Sequence, residues 1–593
     1  MKQAVSCSLP AWNLEAVYRT EEDWEKDFAR LRALAEKFAS YRNRLGESAE
    51  ILAEALGASE TCDRTGEKLY VYAHLRSDEN TGNSAARARL ERIKSAFAEL
   101  SPLSAWFVPE FSALPEATVH AYLQSPVLAG HRRVLEEIVR AKAHVLSEPE
   151  ERLLGQFSEV TNSAENTFSL MNDADLTFGK ISMNGETGEL THANYHAFME
   201  SPDRRIRRTA FRKMHGVYGK FRNTFASTLN ATVKHHAVSA GVRHYPSALA
   251  ASLFDDRIPE EVYTGLIETV HRNLAPLHRY IDLRRRVMKL QSIDMYDLYN
   301  PLVPECRQSY SWEDAVKLVR AAVVPLGKEY CEIWEKAFAE RWIDAAPRKG
   351  KRSGAYSGGC FDTYPYILMS FDGTLDDVFT LAHEGGHSMH SFFSRQTQPY
   401  PYAEYSIFAA EIASTTNEIL LFEHLIASSR EPALQTYLLG RLADEIRTTV
   451  YRQTMFAEFE LLIHRYAEAG TPLTADLLDA EYGKLNTLYY NIHGDRIINH
   501  EWARIPHFYY DFYVYKYATG MSTAIRLATG ILRGPAENRE KYLGFLKAGS
   551  SRDVLDIMCS AGVDLSVSEP VESALKYFAQ TVEHLEKLLE TSC

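Results

Sequence analysis

Residues 381–390 read LAHEGGHSMH: three histidines, one glutamate and two adjacent glycines in ten positions. A glycine costs about 1 kcal/mol relative to alanine in a helix interior, so a helix through Gly385 and Gly386 needs a reason to hold them. The flanking sequence predicts a helix nonetheless. Upstream, TYPYILMSFDG (363–373) has the aromatic and β-branched content of a short strand. Thr374 is then a capping residue, and Asp376 and Asp377 fall in the first turn, where the helix dipole favours acids. Leu375, Val378, Phe379 and Ala382 supply an apolar flank.

On such a helix His383 and His387 stand at i and i+4, on one face and about 6 Å apart along the axis. They form an H-E-x-x-H motif, in which two imidazoles hold one Zn²⁺ and Glu384 lies beside the metal as general base for a water. A catalytic zinc needs a third protein ligand and an open position. A histidine ten residues past His383 would serve, but that position is Phe393. His390 is read as a surface or supporting histidine and not as a ligand. The stretch YAEYSIFAAEIASTTNE (402–418) is the better source. Glu404, Glu411 and Glu418 recur at seven-residue intervals on one predicted helix face. Ala409, Ala410, Ala413 and Ser414 surround Glu411, and so small a surface approaches another helix closely, most of all against glycines. Glu411 is therefore the expected third ligand. Glu418, two turns on, is expected to accept a hydrogen bond from a ligand ring.

The rest of the sequence bounds the class. The chain has 593 residues, 45% of them hydrophobic and 24% charged, with a net charge of −13. That acidity argues against a general nucleic-acid binder or a binder of anionic membranes. No apolar run reaches 18 residues, so no membrane span is expected. The opening MKQAVSCSLP has no adequate apolar core for a signal peptide. Seven scattered cysteines without a CxxC fit free thiols in a reducing compartment, hence a cytoplasmic protein. No G-x-S-x-G, G-x-G-x-x-G or P-loop pattern occurs.

Periodicity predicts a mostly α chain. Trp24, Phe28, Leu31, Leu34 and Phe38 follow helical spacing, 83–100 is a second amphipathic helix, and Ser147 with Glu150 has the form of a capping box. A hairpin is expected at 176–191, with Asn184-Gly185 as its turn. The basic stretch 201–222 is expected to be a solvated helix face. PRKGKRSGAYSGGCFD (347–362) reads as a loop, with Gly358 and Gly359 letting substrate come close. The strand near 366–371 is the expected edge strand, able to add a peptide by backbone pairing. RIPHFYYDFYVYKYATG (504–520) reads as an aromatic helix with Tyr509, Tyr513 and Tyr517 at i, i+4 spacing. The division expected is 1–193, a helical N-terminal region closing on the hairpin, and 194–593, the catalytic domain.

HEGGHSMH, the Glu411 of EIASTTNE 24 residues past His387, and YPYILMSFDGTLDDVFTLA upstream together resemble oligoendopeptidase F, a bacterial branch of the thimet oligopeptidase family of zinc metallopeptidases. The resemblance covers most of the chain and is strongest at 354–420 and 490–525. It implies one Zn²⁺ per chain on His383, His387 and Glu411, with Glu384 as general base. It implies that His507 and Tyr513 stabilise the oxyanion and that Tyr510 and Tyr517 touch substrate. Gly386 matches the glycine of the family's HExGH form, whereas Gly385 replaces a usually bulky apolar residue. The implied fold is a large helical ellipsoid with a deep channel between two lobes and a small β-sheet beside the zinc helix. The implied substrates are short unstructured oligopeptides, with no obligate protein partner. Two other readings compete. A carboxylate-bridged di-iron protein would use Glu384-Gly-Gly-His387 and Glu268-Thr-Val-His271, but leaves His383 idle and supplies no bridging pair. A catalytically inactive peptide-binding homologue would have no need of an intact Glu384.

Overall fold

The computed structural model describes residues 9–183, 185–303 and 309–591. Asn184 and the thiols Cys7, Cys306 and Cys593 lie outside the described residues. The chain is 72% helical with only two small sheets. Helices α1 (Glu21–Ala39), α2 (Ala49–Glu79) and α3 (Ser84–Leu100) come first. After the hairpin β1 (Lys180–Met183) and β2 (Glu186–Glu189) runs the long α4 (Arg204–Val242). Then follow α5 (Lys328–Ala339), β3 (Ile343–Asp344), β4 (Tyr356–Gly358), β5 (Tyr366–Leu368), α6 (Leu375–Thr397) and α7 (Ile407–Ser428). Of the later helices, α8 (Arg452–Glu468) and α9 (Tyr515–Arg533) matter most here.

Local chemistry sets these elements. The Thr20 hydroxyl accepts the Asp23 N–H at 3.2 Å and opens α1, whose Trp24, Leu31 and Phe38 are buried on the predicted stripe. The Trp24 indole donates to the Leu69 carbonyl at 3.1 Å and ties α1 to α2. Asn83 caps α3, and the Glu150 carboxylate accepts the Ser147 N–H at 3.0 Å to start the helix Glu148–Thr161. In the hairpin Met183 pairs with Glu186, and Gly185 takes a φ of +87° that suits a two-residue turn.

Two expectations change. The second sheet has the order β3-β5-β4, parallel on one side and antiparallel on the other. The strand expected at the edge, β5, is therefore central, and its Tyr366, Ile367 and Leu368 are all buried. The edge is β4, inside the stretch read as loop; its Tyr-Ser-Gly sequence has too little apolar surface to signal a strand. The basic stretch 201–222 is also only partly solvated. Arg207 is 1% exposed and meets the buried Asp297 at 2.8 Å, and Arg204 reaches the same carboxylate at 2.8 Å. Arg205 remains in solvent. The Arg207 guanidinium can be buried because Asp297 and the Ser201 carbonyl satisfy it.

The chain forms two compact units. The first comprises Met1–Lys142, Arg307–His424 and Leu527–Gly562, and the second Ala143–Cys306, Leu425–Arg526 and Val563–Cys593. Among the described residues no helix is long and apolar enough to cross a membrane.

Candidate metal centre

Helix α6 starts where its sequence says it should. Thr374 and Asp377 cap each other, the Asp377 N–H on the Thr374 hydroxyl and the Thr374 N–H on the Asp377 carboxylate. Both glycines of the quoted stretch then have a steric cause. A β-carbon on Gly386 would stand 2.5 Å from Ser414 Cα and 2.6 Å from the Ala413 carbonyl, so only a bare backbone lets α7 approach. A β-carbon on Gly385 would stand 2.0 Å from the tip of the Trp334 ring, which α5 lays over it. The sequence accounted for Gly386 but not for Gly385, because nothing in it brings residue 334 to this helix.

The close approach brings three donors together. Nε2 of His383 and Nε2 of His387 are 3.2 Å apart, and Glu411 Oε2 lies 3.4 Å from the first and 3.6 Å from the second. Ligands about 2.0–2.1 Å from a tetrahedral Zn²⁺ stand about 3.3 Å from one another, so the three edges already fit a metal. The two rings lie 79° apart with centroids separated by 4.8 Å, so they meet at an angle and not end to end. The Glu411 side chain is 45% exposed, which leaves the group open on one side, as a catalytic metal needs.

Glu418 Oε1 makes a short hydrogen bond with His383 Nδ1, which orients the ring and leaves Nε2 toward the other donors. Burial alone would lower the His383 pKa. The Glu418 bond, with Glu384 and Glu411 nearby, outweighs it and holds the ring at about 9. His387, buried next to that cation, is pushed down to about 4. Glu384 is buried beside the trio. Burial lifts its carboxyl to about 7, against the pull of His383 and with help from Glu411 and Glu418. It also accepts a hydrogen bond from the Ser357 N–H of β4. The Ser357 and Ser388 hydroxyls meet at 2.8 Å, fixing β4 against α6.

His390 is not among these donors; it is buried, stacked on Tyr405 at 3.6 Å and packed on Phe545. Glu404 precedes the helix instead of sharing its face, since α7 begins at Ile407, and it pairs with Arg395 at 3.0 Å. Among the described residues one other trio has ligand-like spacing: His236 of α4, His464 of α8 and Asp511. Its geometry is different. The two rings are coplanar within 3°, their centroids 5.4 Å apart and Nδ1 of His236 3.1 Å from Nε2 of His464. That is an N–H pointing straight at a lone pair. His464 Nδ1 donates to the Glu460 carbonyl at 2.8 Å, so its Nε2 is the acceptor and His236 the donor. These lone pairs do not converge, and the pair holds a shared proton. Glu268 and His271 of the di-iron reading join neither trio; His271 bonds Glu458 at 2.7 Å.

The aromatic stretch is not one helix. Short 3₁₀ turns at Arg496–Arg504 and Pro506–Tyr509 lead into Asp511 and Phe512, both at positive φ (+43° and +57°), before α9 starts at Tyr515. The break undoes the expected repeat of Tyr509, Tyr513 and Tyr517. Tyr509 is core: it is buried, stacks on Phe168 and meets the Thr228 hydroxyl at 2.8 Å. Because of the same break, the chain folds Tyr510, Tyr513 and Tyr517 around His507, with ring centroids 5.8, 6.2 and 5.8 Å from the imidazole. The Tyr517 hydroxyl is 3.4 Å from His507 Nε2. These four belong to the second unit, and the histidine–glutamate group to the first.

Gly358 ends β4 without crowding. Gly359 is required by the loop itself, since a β-carbon there would meet the Tyr364 carbonyl at 2.4 Å. Sequence reasoning passed over Tyr330, Trp334 and Asn417, all buried against the metal-site helices. Asn417 alone left a signal, a polar residue directly before Glu418.

A model of peptidase family M3 matches residues 197–577, and a model described as oligopeptidase F matches residues 110–178. The chain is 42% identical over 583 residues to oligopeptidase PepF of Bacillus subtilis (strain 168), spanning 98% of this chain and 87% of that one. It is similar to a crystal structure from Chlamydophila abortus (TM-score 0.91, 35% identity, 97% and 98% of the two chains). It is also similar to the structure of oligoendopeptidase-F from Enterococcus faecium (TM-score 0.74, 37% identity, 96% and 99%).

Proposed function

The chain belongs to peptidase family M3, and from that premise we propose that it is a zinc-dependent endopeptidase acting on short, unstructured oligopeptides. The observation that carries the metal is the set of 3.2, 3.4 and 3.6 Å edges among His383, His387 and Glu411. Two imidazoles and a carboxylate are the donor set of a catalytic zinc. Zn²⁺ held there would polarise a carbonyl and acidify a water.

In this reading Glu384 takes the proton of the attacking water on its carboxylate and later delivers it to the leaving amine. Its buried place beside the three donors suits both transfers. Glu418 keeps the His383 ring oriented. His507 and Tyr513 donate hydrogen bonds to the developing oxyanion, and Tyr510 and Tyr517 contact the peptide. The outer edge of β4, ending at Gly358 with Gly359 beside it, pairs with the substrate backbone, a recognition indifferent to side-chain sequence. Residues 1–193 form the N-terminal region and 194–593 the catalytic region; the two matching family models, which stop at 178 and resume at 197, support that division. The free thiols Cys62, Cys331 and Cys360 support a reducing, cytoplasmic setting.

The test is hydrolysis of an internally quenched peptide before and after chelation, with zinc added back, and with Glu384→Gln as control. Loss on chelation, recovery with zinc and inactivity of the variant are expected. Cleavage that survives both treatments would overturn the zinc mechanism.

A further inference from the structure

Two consecutive residues of α7 hold two consecutive residues of α6. Glu418 bonds the ring of His383, and Asn417 donates its side-chain amide to the carbonyl of Ala382 at 3.1 Å. The Asn417 carbonyl oxygen in turn accepts the Tyr330 hydroxyl of α5 at 2.9 Å. Asn417 and Tyr330 are fully buried. One amide therefore joins three helices, with its donor and its acceptor both used.

A buried amide is a poor way to gain stability. Its desolvation costs about what its hydrogen bonds return, and an apolar side chain of similar size packs as well. What a buried amide does supply is register. An apolar contact tolerates a sliding helix, whereas Asn417 is satisfied only when it faces Ala382 and Tyr330 together. The surrounding contact needs such a device. Ala413 and Ser414 of α7 lie against the bare backbone of Gly386, and beyond Asn417 the ring of Phe422 packs on Phe379 of α6 with centroids 4.3 Å apart. The small-residue stretch beside Glu411 itself offers no large side chain to stop a slide, and a slide of one residue would take Glu411 away from His383 and His387.

We propose that Asn417, held by Tyr330, is the positioning residue that sets the register of the Glu411 helix on the histidine helix and so completes the metal-binding geometry. The proposal rests on the reading of His383, His387 and Glu411 as metal ligands. Asn417 touches neither metal nor substrate; it acts through the placement of Glu411 and Glu418. Outer partners of this kind typically change metal affinity by about 10–100-fold when removed.

The experiment measures zinc affinity by chelator competition, the visible spectrum of the Co²⁺-substituted enzyme, and the melting temperature of the metal-free enzyme. It uses the full chain and its Asn417→Leu, Tyr330→Phe and Ile419→Val variants. Ile419 is buried on the same helix, so its variant reports loss of packing without loss of the joint. Asn417→Leu and Tyr330→Phe are expected to weaken zinc by tenfold or more and to alter the Co²⁺ bands, with Ile419→Val unchanged in both. Should Asn417→Leu fail to fold, Tyr330→Phe, which loses a single hydroxyl, decides alone. Zinc affinity within twofold of the parent together with an unaltered Co²⁺ spectrum overturns the proposal, whatever happens to the melting temperature. His387→Ala separates the two ideas: if it leaves zinc binding intact, the ligand assignment itself is wrong.

Discussion

Ser414 Cα stands 2.5 Å from the place a β-carbon on Gly386 would take, while the obstacle at Gly385 is the ring of Trp334 at 2.0 Å. One neighbour is backbone and the other is a side chain. Gly386→Ala must push apart the helices that carry the ligands. It is expected to lose zinc affinity by at least tenfold, with no side-chain substitution restoring it. Gly385→Ala is expected to cost about 1–3 kcal/mol of stability through overpacking, most of it recovered in Gly385→Ala/Trp334→Leu. Chelator competition and thermal melts on these three variants check this; equal loss of zinc at both glycines, unrelieved by Trp334→Leu, would refute it.

The His383–Glu418 bond has a pH signature in the metal-free enzyme. The folded ring titrates at about 9 and the unfolded one at its ordinary 6.5. Between those values the folded state binds the extra proton, so this contribution is complete below 6.5 and is lost as pH rises toward 9. Glu384, lifted to about 7, causes its own decline at lower pH, and His387, held near 4, an opposite rise. Of these three groups, only His383 still loses stability between 7 and 9. Melting temperatures of chelated enzyme should fall across it, and Glu418→Gln should flatten the fall. An unchanged slope in the variant would exclude Glu418 as the cause.

Tyr509 and Tyr513 should separate stability from catalysis. Tyr509→Phe loses the bond to Thr228 and is expected to cost about 1 kcal/mol of stability with activity kept. Tyr513→Phe is expected to lower kcat by roughly 10²-fold through loss of an oxyanion donor, with zinc affinity and melting temperature unmoved. Steady-state kinetics beside thermal melts distinguish them, and a Tyr513→Phe enzyme with parental kcat would remove that residue from the mechanism.

Ring geometry predicts the metal count. Three donors with 3.2–3.6 Å edges at His383, His387 and Glu411, against a head-on hydrogen bond at His236 and His464, lead us to expect one zinc per chain. Elemental analysis of dialysed enzyme should find one equivalent, abolished in His387→Ala and retained in His464→Ala. Two equivalents, or loss of zinc in His464→Ala, would show that the second trio binds metal.

What the sequence revealed depended on whether the cause was local. The capping of α6 at Thr374, the hairpin turn and the convergence of His383, His387 and Glu411 follow from spacing a few residues long or from small residues facing glycines, and all could be read. The break at Asp511 and Phe512 was harder, because an aspartate only weakly marks a left-handed position and a phenylalanine does not mark one at all. The exchange of roles between β4 and β5 could not be read, since strand order is set by partners far along the chain. Trp334 over Gly385 and Tyr330 on Asn417 are pairings across 51 and 87 positions, and neither residue type announces its partner.

The ligand helices also follow one another in the chain, with everything from His383 to Glu418 made before His507 by 89 residues. At about 5–20 residues per second of synthesis, that interval lasts several seconds. A nascent chain thus presents His383, His387 and Glu411 well before it owns the tyrosine cluster. The unit that holds them closes only with Leu527–Gly562, made after both, so the trio waits on the ribosome for its own walls and no half-made copy owns a finished site.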